Sequence, residues 1–123
     1  MGRQPARFVD KPWGHEEIFA ETSAYVGKIL AISAGECLSL QYHRVKEETL
    51  RVLTGRVRFE AGTDPEHLEW IELEAGEVFH VPPGTIHRME AVTDCELLEV
   101  STPHLDDVVR LEDRYGREGT SDP

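Results

Sequence analysis

The chain has 123 residues, 39% of them hydrophobic and 30% charged, and its 13 Lys and Arg against 24 Asp and Glu give a net charge of −11. This length suits a single domain over residues 1–123, with a core at about 8–117 and a disordered tail at 118–123. The negative charge repels nucleic acid, and no apolar run approaches the ~20 residues of a membrane helix. Because the polar start lacks the apolar stretch of a secretory signal, we expect a cytoplasmic protein without a nucleic-acid or membrane partner.

Short β-rich runs follow one another along the chain and are separated by Gly, Pro, Asp or Ser. The predicted strands are, in order, 16–20, 25–33, 37–43, 48–54, 56–61, 67–73, 78–81, 86–92 and 95–101. Turn sequences such as Thr54-Gly55 and Pro82-Pro83-Gly84 separate these runs, as expected of successive hairpins. The pattern predicts an all-β fold that hides its strand edges by closing into a barrel or by stacking two sheets.

Two of the predicted strands show the alternation of a half-buried strand. In the second, Val26, Lys28, Leu30 and Ile32 share one face. In the third, Gln41 and His43 are two residues apart and therefore lie on one face, where a metal ion could contact both.

The segment from about residue 102 onward is ambiguous. Val108, Leu111 and Tyr115 lie at helical spacing, whereas residues 107–110 have the composition of an edge strand. The prediction is a short irregular or helical C-terminal tail, with an edge strand as the alternative.

The residues Gln41, His43, Glu48 and His87 stand in two Gly-containing segments, 35–55 and 76–87. Their order and spacing resemble the two motifs of the cupin superfamily, with Gln41 in place of the first His. The resemblance implies an all-β jelly-roll barrel, the double-stranded β-helix, in which these four side chains bind one divalent metal. Imidazole nitrogen suits several transition metals. The family resemblance implies zinc as the expected ion, with Mn, Co, Ni or Fe as alternatives.

Three further segments narrow the resemblance. They are Lys11-Pro12-Trp13-Gly14, Leu38-Ser39-Leu40-Gln41-x-His43, and Val109-Arg110 followed by Asp113-x-Tyr115-Gly116-Arg117. Together they look like the C-terminal cupin domain of type II phosphomannose isomerases, whose first metal ligand is Gln. This resemblance implies interconversion of mannose 6-phosphate and fructose 6-phosphate, in carbohydrate metabolism and polysaccharide biosynthesis.

The implied reaction needs a base to move a proton and cations to bind the phosphate. The candidates for the base are Glu90, expected on the same strand face as His87, and His80. The phosphate candidates are Lys28, Lys46, Arg88 and Arg110. Lys46 stands where the group typically has Arg, and a Lys binds phosphate as a point charge rather than as a bidentate fork.

Two other functions are compatible with these motifs. One is a non-catalytic metal-containing domain that binds a sugar phosphate or sugar nucleotide. The other is a metal-dependent dioxygenase, against which Gln41 argues because such enzymes generally use His or carboxylate ligands. In each sugar-related case the partner is a small anionic sugar, and we expect a homodimer formed through exposed edge strands.

Overall fold

A computed structural model describes residues 1–119, and every regular element in that range is a β-strand. The strands are β1 Arg7–Lys11, β2 Gly14–Glu21, β3 Val26–Ile32, β4 Leu40–Tyr42, β5 Glu48–Thr54, β6 Arg56–Gly62, β7 Glu69–Glu74, β8 Val78–Val81, β9 Ile86–Ala91, β10 Cys95–Ser101 and β11 Val109–Glu112. Residues 1–119 therefore contain no helix that could cross a membrane.

The strands form two antiparallel sheets that face each other. The six-stranded sheet has the order β1-β2-β3-β10-β5-β8, and the five-stranded sheet has the order β11-β4-β9-β6-β7. Strands distant in sequence are neighbours, since β3 pairs with β10 and β4 pairs with both β9 and β11. The predicted all-β jelly-roll fold is confirmed.

The core lies between the inner faces of the two sheets. Leu30, Val52, Phe59 and Leu97 are almost completely buried there and belong to one continuous hydrophobic cluster. Burial of each such side chain stabilises the fold by about 1.5–3 kcal/mol relative to an exposed one. The predicted inner face of β3 is confirmed, because Val26, Lys28, Leu30 and Ile32 are all buried.

The structure differs from the prediction at both ends of the chain. Residues 7–11 form β1, a mostly exposed edge strand whose short polar sequence carries little periodicity. Residues 109–112 form β11, so the edge strand is the correct alternative to a helix there. Glu118 and Gly119 form a turn, and the Gly119 N–H donates to the Arg110 carbonyl. The disorder expected for 118–123 stays a prediction, and residues 120–123 lie outside the described range.

The turn between β1 and β2 inserts a tryptophan into the core. Trp13 is buried within the hydrophobic cluster, and its carbonyl accepts the N–H of Ser33. The next residue, Gly14, has φ of +152°, and a Cβ atom there would lie 1.9 Å from the carbonyl oxygen of Ala31. Only glycine therefore lets β2 approach β3 closely enough to hold Trp13 in place.

Candidate metal centre

The four predicted ligands come from strand ends in both sheets. In the five-stranded sheet, Gln41 on β4 lies directly opposite His87 on β9, and His43 follows immediately after β4 ends. Glu48 is the first residue of β5 in the six-stranded sheet. Because the inner faces of the two sheets face each other, these side chains approach one another in the interior.

Three of these residues form a compact buried cluster. One ligand-type atom from each of His43, Glu48 and His87 lies within 4.8 Å of the others. Glu48 Oε1 is 3.6 Å from His43 Nε2 and 3.2 Å from His87 Nε2. These residues are only 3%, 3% and 1% exposed, so bulk water does not separate the three groups.

Backbone hydrogen bonds determine which nitrogen of each imidazole faces the cluster. The Nδ1–H of His43 donates to the Asp107 carbonyl at 2.6 Å, and the Nδ1–H of His87 donates to the Thr85 carbonyl at 2.9 Å. In its neutral form, each ring with this hydrogen bond directs an Nε2 lone pair toward Glu48. Both Nε2 atoms are buried and have no hydrogen-bond partner among the residues that the structure describes.

This donor set fits a divalent cation. Two imidazole lone pairs and a carboxylate oxygen repel each other unless a positive charge lies between them. Burial favours the neutral acid, but opposing interactions, the Lys46 ammonium first among them, hold the pKa of Glu48 well below its ordinary value. Glu48 is therefore a carboxylate, the form in which it can bind a metal.

Gln41, the fourth predicted ligand, lies next to this cluster. Residues directly opposite in antiparallel strands have Cβ atoms about 4.5–5.5 Å apart, which puts Gln41 beside His87. The Ser39 hydroxyl donates to Gln41 Oε1 at 2.7 Å and orients the amide. Gln41 also lines the same cavity as His43 and Glu48.

A row of alternating charges extends from Glu48 along the inner face of the six-stranded sheet. The ammonium of Lys46 lies 3.1 Å from Glu48 Oε2 and 3.2 Å from Glu99 Oε2. Lys28 lies 3.8 Å from Glu99 and 3.1 Å from Glu16, and Lys11 lies 4.0 Å from Glu16. All six side chains line one cavity, together with Trp13 and Arg110.

Burial and neighbouring charges act differently on two members of this row. Burial opposes the charged form of Lys46, but Glu99 and Glu48 outweigh it and raise the pKa of Lys46 above its ordinary value. Burial and the nearby Glu48 raise the pKa of Glu99, although Lys46 and Lys28 act in the opposite direction. Glu99 thus accepts a proton more readily than a carboxylate with an ordinary pKa.

The structure brings some of the other predicted site residues into the cavity but not all of them. Lys28, Lys46 and Arg110 line it. Arg88 and Glu90 lie on the outer face of the five-stranded sheet, where Arg88 approaches Glu60 and Glu90 approaches Arg58.

Glu90 is three residues beyond His87, so strand alternation puts it on the opposite face from the one expected. His80 is on the outer face of the other sheet and is bonded to Glu47. Arg88, Glu90 and His80 therefore point away from the cluster of His43, Glu48 and His87.

Sequence reasoning missed Lys11, Glu16 and Glu99. On β10 the buried residues Cys95, Leu97, Glu99 and Ser101 alternate with Glu96, Leu98 and Val100. A carboxylate on the buried face of such a strand indicates a functional site. Because Leu97 and Leu98 are both apolar, however, the sequence does not show which face of β10 is buried.

The sequence profile of the family described as "Mannose-6-phosphate isomerase C-terminal" matches residues 3–113. The chain belongs to this family. Mannose-1-phosphate guanylyltransferase ManC of Salmonella typhimurium is 34% identical over 116 residues, which are 90% of this chain and 23% of that protein. Xanthan biosynthesis protein XanB of Xanthomonas campestris is 30% identical over 116 residues, 90% and 24% of the two proteins. This mannose-6-phosphate isomerase C-terminal domain thus spans about a quarter of the length of these relatives.

Solved cupin structures share the fold of this family member. The capsular polysaccharide assembling protein CapF of Staphylococcus aureus superimposes with a TM-score of 0.74 at 21% identity, over 89% of this chain and 32% of that one. Oxalate decarboxylase of Bacillus subtilis, studied for its Mn(II) centres, gives a TM-score of 0.73 at 19% identity, over 88% and 30%. The chain therefore has the jelly-roll fold of these structures, and its sequence places it in the mannose-6-phosphate isomerase C-terminal family.

Proposed function

We propose that the chain is a metal-dependent sugar-phosphate isomerase that interconverts mannose 6-phosphate and fructose 6-phosphate, or a closely related aldose and ketose phosphate. The observation that carries this proposal is the pair of buried Nε2 atoms of His43 and His87 beside the Glu48 carboxylate, which have no hydrogen-bond partner within residues 1–119. With Gln41 as the fourth ligand, the centre would keep a coordination position for substrate, as catalytic metal sites do. Zinc is the expected ion, and Mn, Co, Ni or Fe are alternatives.

The charge of the cavity favours a phosphate-bearing substrate. Its lining contains four cationic side chains, Lys11, Lys28, Lys46 and Arg110, against three carboxylates, Glu16, Glu48 and Glu99. A divalent ion would add to this excess of positive charge. The rest of a chain with net charge −11 repels anions, so this local field would select where an anionic sugar binds.

These residues would hold a divalent ion, which would supply Lewis-acid polarisation of the sugar oxygens on C1 and C2. That polarisation acidifies the C–H bond on the carbon next to the carbonyl carbon. Lys28, Lys46 and Arg110 supply positive charge for the phosphate. The isomerisation also needs one group that removes a proton from one carbon and returns it to the other.

Glu99 is the group we assign to that proton transfer, in place of Glu90 and His80. It shares the Lys46 ammonium with the metal ligand Glu48, which puts its carboxylate beside the centre. Its raised pKa makes it a stronger base than an exposed carboxylate. Glu90 and His80 lack this position because they lie on outer faces of the sheets.

The first test combines metal content with turnover. We expect purified wild-type protein to hold about one metal per chain, as a single-ion centre requires, and to convert mannose 6-phosphate to fructose 6-phosphate. The variant His43→Ala should lose both metal and turnover. Turnover that is independent of metal would overturn the proposed centre.

The second test addresses Glu99 alone. The variant Glu99→Gln keeps the shape of the side chain and should retain the metal while kcat falls by at least about 100-fold. The matched control is Glu96→Gln, an exposed residue on the outer face of the same strand, which should behave as wild type. Unchanged kcat in Glu99→Gln would remove Glu99 from the mechanism.

Two results would assign a different function. Stoichiometric metal with measurable mannose 6-phosphate binding but no turnover would make the chain a non-catalytic sugar-phosphate binding domain. Bound iron with consumption of O₂ would indicate the dioxygenase, against which Gln41 and the cationic cavity both argue.

A further inference from the structure

A cleft of about 510 Å³ lies on the outer face of the five-stranded sheet, on the opposite side of that sheet from His43 and His87. Its volume is within the range of about 300–1,000 Å³ that is usual for small-molecule sites. Strands β6, β7 and β9 form its floor, and the segment 112–118 forms one wall. The residues that line it include Arg58, Trp70, Arg88, Glu90, Glu112 and Arg114.

Hydrogen bonds fix the segment 112–118 against the turn between β3 and β4. The guanidinium of Arg114 donates to the Gly35 carbonyl at 2.7 Å, and the Tyr115 hydroxyl donates to the Glu36 carboxylate. The ring of Tyr115 also packs against the hydrophobic core. The wall of the cleft is therefore held in place without a ligand, as in the pre-formed sites that bind small molecules.

Trp70 supplies a flat apolar surface inside this cleft. The guanidinium groups of Arg58 and Arg88 lie 4.4 and 5.6 Å from the centroid of its ring, and these cation–π contacts orient the indole. Trp70 nevertheless stays 41% exposed, so part of the indole is open to a ligand. The face of an aromatic ring is electron-rich, and the C–H groups on one side of a sugar ring pack favourably against it.

The charges around Trp70 favour an uncharged ligand. Within residues 1–119 the lining contains three guanidinium groups and four carboxyl groups, and both oxygens of one carboxyl group, Asp113, already accept from Arg117. The other six charges cancel, whereas the interior cavity has an excess of positive charge. In a chain of net charge −11, a cleft with balanced charges does not attract an anion, and its guanidinium groups repel a cation.

Two ion pairs in the cleft are too long for direct hydrogen bonds. Arg58 Nη1 is 4.0 Å from Glu90 Oε1, and Arg88 Nη1 is 3.6 Å from Glu112 Oε2. A direct charge-assisted hydrogen bond between such groups is about 2.7–2.9 Å long. Both pairs therefore keep hydrogen-bonding capacity for a ligand. A hydroxyl group suits them because it can accept from a guanidinium and donate to a carboxylate at the same time.

We propose that this cleft binds the ring of an uncharged saccharide that carries no phosphate. The C–H face of the sugar would pack on Trp70. One hydroxyl would accept from Arg58 and donate to Glu90, and a neighbouring hydroxyl would do the same between Arg88 and Glu112. A dissociation constant on the order of 1 mM is expected for a ligand of this size.

The test is titration of the isotope-labelled chain with D-mannose, D-glucose and D-galactose, followed by proton–nitrogen NMR. The indole N–H signal of Trp70 should shift with at least one of these sugars, whereas that of the buried Trp13 should not. Trp70→Ala should weaken binding by at least about tenfold, as truncation of a central aromatic contact does. Trp70→Phe keeps an aromatic face and should retain most of the affinity, which the backbone signals of β6 and β9 report.

Controls separate this cleft from the interior cavity and from other exposed aromatic residues. Phe8→Ala removes an exposed aromatic side chain of the other sheet and should leave sugar binding unchanged. His43→Ala should also leave it unchanged, because the cleft does not depend on the interior cluster. Turnover of mannose 6-phosphate should be the same in Trp70→Ala as in wild type, so the isomerase and this site are tested separately.

Three results would overturn the proposal. The first is the absence of a shift at Trp70 with all three sugars. The second is an unchanged dissociation constant in Trp70→Ala. The third is a larger response of the cleft to inorganic phosphate or to adenosine than to any of the sugars, which would make it an anion site or a site for a planar base.

Discussion

The carbonyl oxygen of Asp107 accepts the Nδ1–H of His43 at 2.6 Å. The carboxylate of the same Asp107 accepts the backbone N–H groups of Arg44, Val45 and Lys46, at 3.1, 2.7 and 2.9 Å. One residue from the segment between β10 and β11 therefore holds both the imidazole of His43 and the turn that follows it. Partners of this kind set the ring orientation that a metal requires.

We expect Asp107→Ala to weaken metal binding although it removes no ligand. Loss of the carboxylate frees the turn after His43, so the imidazole is no longer held in the orientation that presents Nε2 to Glu48. Metal affinity should fall by about 10- to 100-fold, as for other residues that orient a ligand. Competition with a chelating indicator measures the change. Asp106→Ala, an exposed neighbour with the same change of charge, is the control, and equal loss in both variants would contradict the assignment.

The stability of the metal-free chain should fall in acid because of Asp107. Burial opposes the charged carboxylate, but the three backbone N–H groups outweigh it and lower the pKa of Asp107 to about 2. A group whose pKa is depressed on folding adds stability above its unfolded-state pKa near 3.8, and that stability is lost as the pH falls toward 2. After allowance for solvent screening the loss is on the order of 1 kcal/mol.

Urea denaturation at pH 5 and at pH 2.5 measures this loss. Asp107→Asn has no carboxylate at this position, so its stability should fall less than that of wild type between the two pH values. Parallel losses in the two proteins would show that other carboxyl groups account for the acid sensitivity.

Removal of a proposed ligand should lower metal occupancy while the fold is retained. Glu48→Gln and His87→Ala should each reduce the metal content to a small fraction of one per chain, and elemental analysis measures it. Glu47→Gln is the control, because Glu47 is adjacent in sequence but bonds His80 on the outer surface. Full occupancy in both ligand variants would remove the four-ligand centre.

Gly14→Ala should destabilise the chain far more than a glycine substitution in an open turn. Its Cβ would lie 1.9 Å from a backbone carbonyl oxygen, so β2 must move away from β3 and Trp13 loses its packing. We expect a loss of at least about 3 kcal/mol, comparable with truncation of a large core side chain.

The control is Gly35→Ala, which has φ of +82° and nothing within 4 Å of an added Cβ. It carries only backbone strain, of order 1 kcal/mol. Thermal denaturation of the two variants separates the steric clash at Gly14 from the backbone strain at Gly35. Equal losses of stability would show that the close approach of β2 and β3 does not stabilise the fold.

The sequence by itself determined the all-β fold and the order of most strands, since alternation and turn residues are local properties of the chain. It also indicated His43, Glu48 and His87 as one group, because their spacing resembles known motifs. The strand β1 was missed because its short, exposed sequence has no apolar periodicity. The segment 109–112 was ambiguous because its residues suit a helix and an edge strand equally.

Only the tertiary structure decided which other charges surround the centre. Glu16, Lys28 and Glu99 lie on β2, β3 and β10, and their meeting depends on the order in which these strands pair. The apolar Phe19 lies on the outer face, while Glu16 on the same strand is buried. The Glu16 carboxylate can occupy the inner face because the ammonium group of Lys28 on the neighbouring strand compensates its charge. This compensation depends on which strands pair, and the sequence of either strand alone does not contain it.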